Sequence, residues 1–304
     1  MTTSALTLPP GIPEEYKKGI VEALGPWAGD ERLEGILLLG RARGFRYYAP
    51  GADVVVVTAS GDAVGRRGLR AVCGRTWLRV RVTSRRVFLD ELTTGPVTPF
   101  KLALREAFVA RDRRGRLADA LRALEPVLNH GLPRARLAAA AEVAAALRSS
   151  DVALAAAGSY DAAEALARAT VKLAELELLN DGVWPSLECP LAAAAGGDAR
   201  RLYASIWRAR DDVSKLNRVA AEAAALFRRL LPAASASVFD FLIKRGGSAL
   251  TASVIEALDL GNVADIDLVL AALDAYGLVK VGREERPVPG LAGLTYSEPV
   301  LTLP

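Results

Sequence analysis

Four consecutive valines, Val54 to Val57, constrain this chain more than any other feature. They are opened by a lone carboxylate at Asp53 and separated from an earlier apolar run, Leu37 to Leu39, by a turn rich in glycine and arginine. A run with no polar alternation reads as a strand buried on both faces, which belongs to a parallel or mixed sheet. A third candidate strand, Trp77 to Thr83, does alternate. Side chains two apart on a strand share a face, so Arg79 and Arg81 fall together.

The segment Leu37 to Thr58 resembles the entry to the active site of nucleotidyltransferases of the DNA polymerase β superfamily. In that superfamily a strand ends in Gly-Ser, continues as x-Ala-Arg-Gly, and is followed by a strand carrying acid-x-acid before a run of aliphatics. Arg41-Ala42-Arg43-Gly44 matches the middle of the motif. Leu39-Gly40 stands where Gly-Ser is expected, and Asp53 alone stands for the paired acids. An acid-x-acid pair places two carboxylates on one cluster of Mg²⁺ ions, which clamp the triphosphate and activate the attacking hydroxyl. If Asp53 is the first acid, its partner position is Val55; if the second, it is Gly51, and the spacing from Gly44 fits the second choice better. Either way the pair is broken, and the strand expected to bring a third acid offers Arg79 and Arg81.

Later pieces follow the order found in a group of prokaryotic nucleotidyltransferases. These are a helix with Phe88 and Leu92, a Gly95-Pro96 turn, an amphipathic helix leading into a strand over Leu102 to Val109, and Asp112-Arg113-Arg114-Gly115-Arg116-Leu117. The likeness covers Gly11 to Leu124. It implies that Gly40, Arg41, Arg43 and Gly44 form a nucleotide- or phosphate-binding turn and that Asp53 is a remnant catalytic carboxylate. No metal-binding set is expected; Mg²⁺ is implied as a cofactor only if the site is active.

Composition narrows the function classes. The chain has 304 residues and is 51% hydrophobic, enough for several cores. No apolar run is long enough to span a bilayer, and residues 1–10 lack a basic start followed by an apolar core. A cytoplasmic protein without membrane contact is expected. Cys73 and Cys189 are far apart and read as buried thiols. Only seven of the 39 basic residues are lysine; with one Met and no Gln, this matches thermophile usage. Arg66, Arg67, Arg70, Arg75, Arg79, Arg81, Arg85 and Arg86 crowd one stretch, either as a phosphate-facing cluster or as a solvated face. The single histidine, His130, cannot supply a zinc site and reads as part of a turn over residues 128–131. Arg122 stands eight positions before it, outside the four-to-six spacing of HEPN-type ribonucleases.

Beyond residue 116 the pattern is helical, with apolar residues three and four apart over 117–128, 133–148, 160–180 and 198–231. This resembles the HEPN-like or substrate-binding bundle that follows nucleotidyltransferase domains. From residue 234, three short helices (237–244, 251–258, 263–276) and a hairpin resemble a winged helix. Its third helix holds Asp265, Asp267 and Asp274 and no basic residue, which favours a protein partner over DNA, although Arg283 and Arg286 in the wing suit a phosphate backbone.

The expected fold is therefore α+β. It comprises a nucleotidyltransferase-like mixed sheet with flanking helices (11–115), an all-α bundle (116–232) and a winged-helix-like domain (234–304). The broken acid pair favours a non-catalytic protein binding a nucleotide, nucleic-acid phosphates or a protein. The alternative is an active metal-dependent enzyme that moves a nucleoside monophosphate onto an acceptor.

Overall fold

A computed structural model describes residues 6–9, 12, 14–39, 51–59, 67–73, 76–185, 191, 197–288 and 294–304. The chain forms two compact units, Met1–Gly131 and Leu132–Pro304.

In the first unit, helix α1 (Glu14–Ala28) precedes strands β1 (Leu33–Leu38), β2 (Gly51–Thr58), β3 (Arg67–Cys73) and β4 (Thr76–Ser84). Next come helices α2 (Arg85–Thr93) and α3 (Pro99–Arg105), strand β5 (Phe108–Asp112) and helix α4 (Arg116–Arg122). The sheet order is β3-β4-β2-β1-β5. It is mixed as expected, because β2 runs parallel to β4 while the other pairs are antiparallel.

The valine run occupies the central strand, dry on both faces. Val54 and Val56 join Ile36, Leu38, Leu78 and Val80 under Ile20 and Leu24 of α1. Val55 and Val57 are also fully buried and point to the opposite face, where α2 packs on β2 and β4. Ser84 ends β4 and caps α2, its hydroxyl accepting from the Val87 N–H.

The Asp112-to-Leu117 motif has a local structural reason. Asp112 accepts four backbone N–H bonds, from Arg114 (3.3 Å) and Arg116 (3.1 Å) on Oδ1 and from Leu117 (2.9 Å) and Ala118 (3.0 Å) on Oδ2. The donors at the start of α4 are thereby satisfied by one carboxylate. Gly115 makes the turn at φ 70°, in the left-handed region. Leu117 then seats over Gly35 of β1, where a Cβ would lie 2.4 Å from the leucine Cδ1 and 2.3 Å from the Arg111 carbonyl oxygen. Arg111 itself donates from Nη1 to the carbonyls of Trp27 (2.9 Å) and Asp30 (3.2 Å), placing a cation where α1 ends.

The second unit contains most of α5 (Leu124–Ala155), then α6 (Ser159–Asn180), α7 (Asp198–Ala209), α8 (Val213–Ala234) and α9 (Ala236–Lys244). Strand β6 (Ser248–Leu250), helices α10 (Thr251–Ala257) and α11 (Ile266–Ala275), and strands β7 (Lys280–Pro287) and β8 (Thr295–Thr302) complete it. The small sheet is antiparallel with order β6-β8-β7. Two local expectations are corrected. Residues 128–131 are not a turn: α5 runs through His130 and Pro133, and His130 is an exposed helical residue. The expected helix over 198–231 is two helices, because Asp212 caps α8 by accepting from the Lys215 N–H at 3.0 Å.

Replacing Asp112 by alanine strands several donors at once, so a loss of about 2 kcal/mol is expected. Urea unfolding followed by circular dichroism measures it, and an unchanged midpoint would refute the capping role.

Candidate functional site

Strand β2 carries one carboxylate, Asp53, and it sits near the strand's start, because a strand dry on both faces can hold a charge only at its rim. The parallel register places Asp53 opposite Arg79 and Val55 opposite Arg81 on β4. Arg79 meets the carboxylate with two nitrogens, Nε lying 2.6 Å from Oδ1 and Nη2 donating to Oδ2 at 2.8 Å. This is the fork geometry that guanidinium and carboxylate favour. The Asp53 side chain is 22% exposed and that of Arg79 61% exposed, so the pair sits at the edge of solvent.

Arg81 is committed as well. It donates to Oε2 of Glu91 on α2 at 2.5 Å, and its guanidinium lies 4.0 Å from the centre of the Phe100 ring. Lys101 of α3, next to Phe100 in sequence, is buried, and its ammonium donates to the carbonyls of Thr94 (2.6 Å) and Gly95 (3.0 Å) just past α2. Burial pulls the Lys101 pKa below its ordinary value, and Glu91 opposes that shift. Further along, Arg85 lies 4.0 Å from the buried Glu34. Thus Arg79, Arg81 and Arg85 each face a carboxylate rather than forming a free basic patch.

Gly40, Arg41, Arg43 and Gly44 lie outside the described residues, as do Asp62, Arg66 and Arg75. Of the site expected from sequence, Asp53 is placed. Glu91, an acid on the neighbouring helix, is bonded to Arg81, and Val55 is sealed in the core. Among the described residues no group of three or more His, Cys, Asp or Glu is placed to hold a metal ion. Sequence reasoning missed Phe100 and Lys101. The signal was a lysine in an arginine-dominated chain, following the Gly95-Pro96 turn.

The fold has a solved counterpart. The chain is similar to a nucleotidyltransferase-like protein from Exiguobacterium sibiricum 255-15, with a TM-score of 0.57 over 95% of this chain and 99% of that one, at 13% identity. No protein-family model and no curated protein matches the sequence.

A double-mutant cycle of Asp53→Ala and Arg79→Ala is expected to give a coupling of about 1 kcal/mol at low ionic strength, because solvent screens a pair this exposed. The coupling shrinks as salt rises. Thermal unfolding of the four proteins measures it, and additive single effects would show that the pair is not formed in solution.

Proposed function

We propose that this protein is a nucleotidyltransferase-fold binding protein in which an arginine has taken the place of the catalytic cation. The carrying observation is the two-pronged hold of Arg79 on Asp53. In a working centre a second acid shares metal ions roughly 3.5 to 4 Å apart with the first. Here the two positions that would supply it are a buried valine and a glycine, Val55 and Gly51. A metal entering at Asp53 would have to displace a guanidinium bonded to both oxygens, with Arg81 on the same strand face. The residues present do not fit a two-metal centre.

What remains suits binding. The turn holding Gly40, Arg41, Arg43 and Gly44 is the element we assign to phosphate contact, through backbone amides and guanidinium groups. Nucleotide or nucleic-acid phosphates are its ligands in this reading, and no metal cofactor is required. Helices α5 to α8 support the assignment of a HEPN-like bundle. The order α9, β6, α10, α11, β7, β8 supports a terminal winged helix. Its third helix, α11, carries Asp267 and Asp274 and no cation, and Asp274 accepts from the Val281 N–H at 2.9 Å. An acidic helix braced to the hairpin suits a protein partner better than a DNA groove.

Incubation with labelled nucleoside triphosphates, Mg²⁺ or Mn²⁺ and a panel of acceptors is expected to give no nucleotidyl transfer. Nucleotide binding followed by calorimetry is expected to be unchanged by chelation of divalent ions. Transfer that disappears in Asp53→Asn would instead establish an active enzyme and sink this reading.

A further inference from the structure

Helix α7 buries Ala199, Leu202, Ile206 and Ala209. Away from that core it carries Arg200, Tyr203, Trp207 and Arg210 at spacings of three and four, which aligns them along one flank. Trp207 is 46% exposed. The Tyr203 and Trp207 rings meet edge to face, with centroids 6.1 Å apart and planes at 72°. The Tyr203 ring thus packs against the indole, and part of the indole surface stays open to solvent.

The surroundings decide what this surface suits. Among the described residues of α7, Trp207 is the one exposed large apolar side chain. Its neighbours are cations. Arg210 pairs with Asp211 at 3.5 Å, while Arg200 and Arg208 have no acidic partner among the described residues. The opposite flank behaves differently. A cavity of about 370 Å³ there is lined by Arg201, Ser205, Glu222 and Arg229, but Asp198 pairs with both arginines and Glu222 balances the second charge, which leaves the lining neutral. Open arginines beside an exposed indole match a ligand with negative charges and flat, stackable rings.

We propose that the solvent-facing side of α7 binds single-stranded nucleic acid, with a base stacked on Trp207 at its edge and phosphates met by Arg200 and Arg208, which lie eight residues apart on the exposed stripe. A paired duplex hides its base faces and offers only phosphates, so single strands are preferred. The inference rests on the second unit alone and stands whether or not the N-terminal sheet binds nucleotides.

The test is a titration of the full chain with labelled oligo(dT), oligo(U), a DNA duplex and a polyglutamate peptide, followed by anisotropy and tryptophan fluorescence. Single strands are expected to quench the fluorescence and to bind more tightly than duplex. Trp207→Ala is expected to weaken binding about 5- to 150-fold, the range for loss of one stacked base, while Trp207→Phe retains most of the affinity. Arg200→Ala is expected to flatten the dependence of log affinity on log salt by about 0.7. Circular dichroism checks that each variant is folded. Unchanged binding in Trp207→Ala, equal affinity for duplex, or binding of polyglutamate in place of nucleic acid would each overturn the proposal.

Discussion

Burial of β2 on both faces governs the N-terminal unit. Four valines fill the space between α1 on one side and α2 on the other, and the strand's only charge is confined to its first residues at the rim. Because β2 and β4 run parallel in an unbroken register from Gly51↔Trp77 to Thr58↔Ser84, the neighbour of each β2 residue is dictated by the pairing of the strands. Asp53 therefore meets Arg79, and Val55 meets Arg81. A slip of one residue would set Asp53 opposite Leu78 or Val80 and separate these charges, which is why the pairing of the strands and the site are specified together.

Charge at this rim is compensated internally. Asp53 is held by Arg79 and Glu91 by Arg81. A carboxylate next to a metal needs the same things these arginines supply, positive charge and directed bonds to both oxygens. The guanidinium delivers them without an ion and without the dehydration that Mg²⁺ resists. This explains how a strand expected to carry an acid tolerates cations while the sheet keeps its shape.

Elsewhere the acids serve the backbone. Asp112 takes the free amides that open α4, Asp212 caps α8, and Asp274 holds the first residues of β7. Each is an acid that ordinary chemistry would nominate as a ligand or a base, and each is occupied by N–H donors that would otherwise be unsatisfied. The Asp112 cap, the Gly115 turn and the Leu117 seat over Gly35 together account for the spacing of that motif by folding alone.

The sequence by itself determined strands β1, β2, β4 and β5 of the N-terminal unit but not β3, together with the helical character of the chain beyond residue 116 and the lack of a carboxylate two positions from Asp53. These depend on local pattern: an unbroken valine run, apolar residues at three- and four-residue spacing, and the absence of a carboxylate at positions 51 and 55. It also carried the motif from Asp112 to Leu117, though not the reason for it. Only the tertiary structure decided which cation meets Asp53, since strand pairing joins residues 26 positions apart. Tertiary structure likewise set the burial of Lys101, the continuity of α5 through Pro133, the division between α7 and α8, and the exposure of Trp207. Those outcomes depend on which neighbours pack against a residue, and a one-dimensional pattern does not encode neighbours that arrive from distant segments.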